Sequence, residues 1–285
     1  MKQGLFAVAL VALGTVVACD ENPEEKYRYG SVELTTTAPT AEAPITTPDG
    51  WTITPTKLLA NISAVTIAGT DGVVTASATA QVFDLVKPGA KQLVLSTVRY
   101  ARAWEDVSLQ IGPATADSVA VDVEEADLTG MVTGGFSIYL EASATKADVT
   151  KTLRWGFTTD TVYGGCEGQV GNATVKGLLV PANGIDSANV VLRGDVFFSD
   201  KVDGTGPLTF EAIALADANT NGEVTLDELI AVPLETARAG GALYDVGEDE
   251  TVTDLGGFVA ALSRRLVGSF RAAGTCTPED PPAEP

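Results

Sequence analysis

The sequence predicts an α+β protein in which an antiparallel β-sandwich is followed by a small helical module. Three observations support this fold class. Short runs of alternating apolar and polar residues recur between Trp51 and Ser199, and Gly, Pro and Asp turn signals separate them. After Gly206 the repeat changes from every second residue to a helical spacing. From Thr209 to Phe270, apolar residues then mark one face of successive helices.

Residues 1–18 have the composition of a secretory signal peptide. Lys2 supplies a positive start, and the apolar stretch from Gly4 to Val17 is too short for a comfortable membrane span. Small residues followed by Cys19 end the segment and resemble the lipobox of bacterial lipoproteins. The resemblance implies that Cys19 is acylated and anchors the protein in the bacterial cell envelope, facing the periplasm or the cell exterior. A plain signal peptide with a coincidental cysteine is the alternative.

Between the signal peptide and the helical module, composition predicts two regions, a tether and a β-rich domain. Residues 19–50 begin with an acidic run and continue with Thr, Ala and Pro, which predicts a flexible tether. Residues 51–204 are the predicted β-sandwich. Its clearest strand patterns are 107–111, 119–123, 136–141, 153–157, 175–180 and 189–198. At the other end of the chain, residues 277–285 are proline-rich and acidic, which predicts a disordered tail.

Residues 217–228 read Asp-Ala-Asn-Thr-Asn-Gly-Glu-Val-Thr-Leu-Asp-Glu and resemble the calcium loop of EF-hand proteins. This spacing provides oxygen atoms where a hard divalent cation needs them, and Gly222 stands where such loops turn sharply. The predicted Ca²⁺ ligands are Asp217, Asn219, Asn221, the backbone carbonyl of Glu223, Thr225 and Glu228. A loop that has kept this shape and lost the metal is the alternative.

The EF-hand resemblance extends the predicted helical module over residues 205–276. Thr209 is a candidate N-cap for the helix that enters the loop, and Pro233 stops the helix that leaves it. Thr253 is a candidate N-cap for a final helix, which Gly274 ends. The module is therefore predicted to be mostly helical.

A second, degenerate calcium loop is predicted to start at Asp245. Val252 there takes the place that Val224 holds in the first loop, so the two loops are expected to pair. Three residues stand where calcium loops need an oxygen ligand, a turn glycine and a bidentate glutamate: Gly247, Glu250 and Gly256. One working loop and one degenerate loop would then form the module. An ordinary linker with a helix N-cap is the alternative.

The remaining cysteines predict a disulfide. Apart from Cys19, the chain contains Cys166 and Cys276, and an oxidising cell-envelope compartment favours a bond between such a pair. The bond would close a loop of about 110 residues, which stabilises by up to about 4–5 kcal/mol in the chain-entropy model.

Charge and composition exclude several classes of function. With 38 acidic against 18 basic residues, the net charge of −20 disfavours binding to nucleic acids. The absence of histidine excludes serine triads and zincin sites. The sequence therefore predicts a non-enzymatic lipoprotein that binds calcium. Its expected partners are the membrane, through the lipid anchor, and an extracellular or envelope protein.

The loop charges predict a structural calcium site. Asp217 and Glu228 are its ionised side-chain ligands, which favours a dissociation constant on the order of 10⁻⁴ to 10⁻³ M. Two other functions remain open. One is a β-sandwich adhesin or ligand-binding module that calcium stabilises, and the other is a hydrolase with an unrecognised carboxylate site.

A further resemblance concerns the β-rich part of the chain. The segment from Gly134 to Cys166, which contains Trp155, is similar to periplasmic β-sandwich proteins encoded near methanobactin biosynthesis, some of which handle copper. Copper binding is not expected here, because the chain has no histidine and 2 methionines.

Overall fold

A computed structural model describes residues 29–69, 74–77, 79–98, 101–248 and 251–281. Its strands are β1 (Gly30–Thr37), β2 (Ile45–Thr46), β3 (Thr52–Ala68), β4 (Val74–Ala76), β5 (Gln81–Asp84), β6 (Lys91–Val98), β7 (Ala103–Trp104), β8 (Asp106–Ile111), β9 (Val119–Val121), β10 (Ile138–Lys146), β11 (Val149–Phe157), β12 (Thr161–Val170), β13 (Ala173–Lys176), β14 (Leu178–Leu179), β15 (Ile185–Leu192), β16 (Glu223–Val224), β17 (Val267–Phe270) and β18 (Thr275–Glu279). Its α-helices are α1 (Glu125–Gly134), α2 (Glu211–Leu215), α3 (Leu226–Ile230) and α4 (Leu255–Ser263).

A 12-stranded sheet organises most of the described chain. Its main path runs β13-β12-β8-β3-β10-β11-β16. The 17-residue strand β3 lies at its centre and pairs in antiparallel fashion with β8 and β10. The hairpin β10–β11 carries the sheet outward to the short strand β16, which pairs with β11 in parallel. The sheet therefore leads from the long central strand to the calcium-like loop.

A second sheet of four strands has the order β17-β15-β1-β6. Strand β1 pairs in parallel with β15 and in antiparallel fashion with β6. Val32 and Leu34 in β1 are fully buried and belong to the main core. The prediction of a flexible tether over residues 19–50 is therefore wrong from residue 30 onward. Residues 30–37 alternate inward and outward positions, and the Thr and Ser content of the segment had hidden this period.

The predicted fold class, an α+β arrangement of a β-sandwich followed by a helical EF-hand module, is wrong. Strands make up 46% of the described residues and helices 13%. The helices α2 and α3 beside the loop have 5 residues each, and α4 has 9. One continuous core contains side chains of both larger sheets, the loop and α4, so residues 205–276 pack as part of the β-rich body.

The end of the chain also differs from its prediction. Helix α4 ends at Ser263, and Asp254 caps it, because its Oδ1 atom accepts a hydrogen bond of 2.7 Å from the Gly257 amide. The following apolar residues form β17, which pairs with β15. Residues 275–279 form β18, so the predicted tail at 277–285 begins within a strand. Pairing with distant strands outweighs the helical spacing of the apolar residues here.

The predicted disulfide is confirmed. Cys166 in β12 and Cys276 in β18 are bonded across a sequence separation of 110 residues. The two strands pair in antiparallel register, with Gly164 opposite Thr277 and Glu167 opposite Thr275. The bond therefore fixes the C-terminal strand at the edge of the large sheet.

The predicted signal peptide and the acylated Cys19 lie outside the described residues. Over the part of the chain that the structure covers, none of the helices has the length and apolar character that crossing a membrane requires.

Candidate calcium site

Helix α2 leads into the calcium-like loop, and Asp49 caps the N-terminus of this helix. One Asp49 oxygen, Oδ2, accepts hydrogen bonds of 2.8 Å from the Thr209 hydroxyl and from the backbone amides of Phe210 and Glu211. Thr209 was the predicted N-cap, but the acceptor is a carboxylate 160 residues earlier in the chain. No local pattern in the sequence could have identified this cap, because it arises from tertiary packing.

The cap predicts a pH-dependent contribution to stability. Burial raises the pKa of Asp49, but the hydrogen bonds from Thr47, Phe210, Glu211 and Thr209 outweigh it, so the pKa lies below its ordinary value of 3.8. The ionised cap therefore stabilises the fold above that value, and the contribution is lost as the pH falls through the lowered folded-state pKa.

We expect Asp49→Ala to lower the free energy of unfolding by about 1–2 kcal/mol at neutral pH. Urea unfolding of both proteins across a pH series measures this effect. The difference should shrink as the pH falls below the ordinary carboxyl value of 3.8. A difference that stays constant throughout the acid range would show that the carboxylate is not the stabilising group.

The second half of the loop rests on the large sheet. In β16, Glu223 lies opposite Thr152 and Val224 opposite Leu153 of β11. The indole nitrogen of Trp155 donates a hydrogen bond of 2.9 Å to the Val224 carbonyl, and Val224, Leu153 and Trp155 are all fully buried. The predicted pairing of Val224 with a second loop is therefore wrong, because β11 provides the ladder.

Two side chains at the start of the loop accept hydrogen bonds from one backbone amide. The amide of Asn221 donates to Asp217 Oδ1 at 3.1 Å and to Asn219 Oδ1 at 2.9 Å. The Asn221 side chain in turn accepts a hydrogen bond of 2.7 Å from the Glu223 amide. Gly222 has φ +83°, a conformation that glycine adopts without strain, and its amide donates to Asp217 Oδ2 at 2.9 Å. The turn predicted at Gly222 is thus present.

Glu228 closes the loop from the first turn of α3. Its Oε2 atom accepts hydrogen bonds from the amide and hydroxyl of Thr225, at 2.9 and 3.0 Å, and the Thr225 hydroxyl accepts one from the Glu228 amide. This reciprocal pair is a capping box. Glu228 Oε1 accepts a hydrogen bond of 2.7 Å from the Asn219 side chain. The two ends of the loop therefore meet through Asn219 and Glu228.

The structure brings the side chains of five of the six predicted ligand residues into this network. The side chain of Glu223 lies apart, 3.8 Å from an Arg154 nitrogen on β11. This is consistent with the ligand role expected of Glu223, which uses the backbone carbonyl. Thr225 is occupied by the capping box, so its hydroxyl is the weakest candidate among the predicted ligands.

No pattern in the sequence points to Lys151, a basic residue that contacts the loop. Its Nζ atom lies 2.5 Å from Asp217 Oδ2, and the Asp217 side chain is fully buried. The Lys151 hydrogen bond is the largest cause of the lowered pKa of the Asp217 carboxyl. The residue lies in β11, directly before the pair of residues that form the ladder with β16. Its role follows from strand register, which the sequence does not reveal.

The donor chemistry of the loop fits a calcium ion. Its candidate ligands are carboxylate, amide, hydroxyl and carbonyl oxygens, which a hard cation prefers. Two of them, Asp217 and Glu228, are side-chain carboxylates that the loop brings together. No group of three or more His, Cys, Asp or Glu side chains gathers as a metal site within the described ranges. The oxygen set suits calcium better than zinc or copper.

The second loop, predicted from Asp245, has a packing role in the structure. The backbone of Asp245 bonds with Asp200 and Val202, which holds this segment against the chain before α2. A Cβ atom at Gly256 would lie 2.5 Å from Ile230 Cγ1 and 2.8 Å from the Ile230 nitrogen. Glycine at position 256 therefore lets the start of α4 approach the end of α3. Glu250 lies outside the described residues.

Comparisons with known proteins add one distant structural likeness. No family model and no curated protein matches the chain. Among solved structures, the chain is similar to MbnP from Methylosinus trichosporium, with 14% identity and a TM-score of 0.34, over 70% of this chain and 94% of that one.

Proposed function

We propose that residues 217–228 bind one Ca²⁺ ion and that the ion has a structural role. The observation that supports this most is the hydrogen-bonded convergence of Asp217, Asn219 and Glu228. Asp217, Asn219, Asn221 and Glu228 would hold the ion with side-chain oxygens, Glu223 with its carbonyl, and Thr225 directly or through water. Bound calcium would supply a fixed positive charge that joins the two ends of the loop.

The position of the loop explains why a structural role is proposed. Helix α2, the edge of the large sheet and helix α3 meet at these residues. An ion that binds only the folded state stabilises that state. The free energy gained grows with the logarithm of one plus the ratio of ion concentration to dissociation constant. Two carboxylate ligands favour weak binding, on the order of 10⁻⁴ to 10⁻³ M. Millimolar calcium would then fill about half to nine-tenths of such sites.

The proposed setting is the bacterial cell envelope. The signal-like segment and the lipobox-like Cys19 support a lipid-anchored, non-enzymatic protein that faces the periplasm or the cell exterior. The disulfide is typical of such an oxidising compartment. The proposed partners are the membrane, through the anchor, and an extracellular or envelope protein. Nucleic acids are disfavoured by the net charge of −20.

Thermal unfolding in EDTA and in millimolar calcium tests the proposal. Calcium at ten times the dissociation constant should stabilise the wild type by about 1.4 kcal/mol, which raises the melting temperature by a few degrees. Glu228→Gln removes one carboxylate ligand and should abolish the shift. Asp227→Asn, a neutralised neighbour outside the ligand set, should keep it. An equal shift in Glu228→Gln, or none in the wild type, would contradict calcium binding by this loop.

A further inference from the structure

Lys151 contacts the calcium-like loop from the inward-facing side of strand β11. In β11 it shares the inward-facing row with Leu153 and Trp155, which are fully buried. Its own side chain is 17% exposed, and its Nζ atom lies 2.5 Å from Asp217 Oδ2. A positive charge is therefore held against the first ligand of the proposed site.

Donors of the protein contact both oxygens of the Asp217 carboxylate. Besides Lys151, the amides of Gly222 and Asn221 donate to its two oxygens. A lysine ammonium bound to a buried carboxylate forms a charge-assisted hydrogen bond, which is stronger than a neutral one. Calcium that binds Asp217 must either displace this ammonium or tolerate a like charge a few ångströms away, and both lower its affinity.

We propose that Lys151 is an internal cation that competes with Ca²⁺ for Asp217. It holds the loop closed without the metal and keeps the calcium affinity low. This inference rests on the proposed calcium function and names the residue that sets its affinity. Calcium entry moves the ammonium of Lys151 away from Asp217, into the groove that Lys151 already lines. That groove has a volume of about 410 Å³ and is also lined by Trp51, Glu211 and Leu215.

Calorimetric titration of the purified protein with calcium chloride tests the competition. Lys151→Gln removes the competing charge and should tighten calcium binding about ten- to hundredfold, as the loss of a hydrogen bond between charged groups implies. Lys57→Gln is the matched control, because Lys57 pairs with Asp127 at 2.7 Å and lies outside this groove. It changes the net charge equally and should leave the affinity within about twofold. Lys151→Arg keeps a cation at this position and should retain weak binding.

The outcomes separate this inference from the proposed function. Calcium binding of equal strength in the wild type and Lys151→Gln would overturn the inference and leave the calcium site standing. Equal tightening in Lys57→Gln would also overturn it, because net charge alone would then explain the effect. The absence of binding in the wild type and in Lys151→Gln would overturn both. Weak binding in the wild type and in Lys57→Gln, with tighter binding in Lys151→Gln, would support the inference.

A second measurement needs no variant and so does not depend on the folding of Lys151→Gln. The wild type is treated with acetic anhydride in EDTA or in saturating calcium, and mass spectrometry of its peptides measures the modification of each lysine. Calcium should raise the modification of Lys151 severalfold and leave that of Lys57, which pairs with Asp127 far from the loop in sequence, unchanged. Unchanged or reduced modification of Lys151 would contradict its displacement.

Discussion

Replacing Cys276 by Ser is expected to lower the free energy of unfolding by about 4 kcal/mol, within the usual range of 2–5 kcal/mol for a native disulfide. The bond joins residues 110 positions apart and holds β18 at the edge of the large sheet. Its loss frees a long loop in the unfolded chain. It also removes a covalent link between β12 and the 5-residue strand β18, which pairs with β12.

Guanidinium unfolding of the wild type and of Cys276→Ser measures this difference. The double variant Cys166→Ser with Cys276→Ser is the control, because it excludes effects of a single free thiol. Wild-type protein treated with a strong reductant should unfold at the midpoint of the double variant. Coincident unfolding curves of oxidised wild type and double variant would show that the disulfide adds no stability.

Trp155→Ala is expected to lower the free energy of unfolding by about 3–5 kcal/mol, the usual cost of deleting a buried aromatic side chain. Trp155 is fully buried, lies 6.2 Å from Phe198 between ring centres, and donates to the Val224 carbonyl at 2.9 Å. The alanine variant removes core volume and the contact that holds the loop on the sheet.

Trp155→Phe separates these two contributions. It keeps most of the apolar volume and removes the indole hydrogen bond to the Val224 carbonyl, which contributes about 0.5–1.5 kcal/mol. Urea unfolding of all three proteins measures the series. The expected order of stability is wild type, then Trp155→Phe, then Trp155→Ala. A phenylalanine variant as stable as the wild type would show that the indole hydrogen bond does not anchor the loop.

The parts of the fold that local patterns determine could be predicted from the sequence. The strand pattern at 107–111 coincides with β8, and that at 153–157 lies within β11. The spacing of 217–228 also gave the turn at Gly222, since this turn depends on residues close in the chain. Each of these features is a local regularity that a single segment of sequence carries.

The features that long-range pairing determines could not be predicted. Strand β1 is stabilised by β15, more than 150 positions away, as the hydrogen bond of Thr36 to the Val190 carbonyl illustrates. The strand at 267–270 follows apolar residues with helical spacing, and its partner β15 decides its conformation. Asp49 and Lys151 reach the loop for the same reason, because sheet register and chain path bring them there.

Calorimetric titration of the wild-type protein with calcium, beside Glu228→Gln and Asp227→Asn, tests the central claim most directly. We expect one ion bound per chain with a dissociation constant on the order of 10⁻⁴ to 10⁻³ M. Binding should be retained in Asp227→Asn and lost in Glu228→Gln. No binding heat in the wild type, or the same isotherm in Glu228→Gln, would contradict a calcium site at residues 217–228.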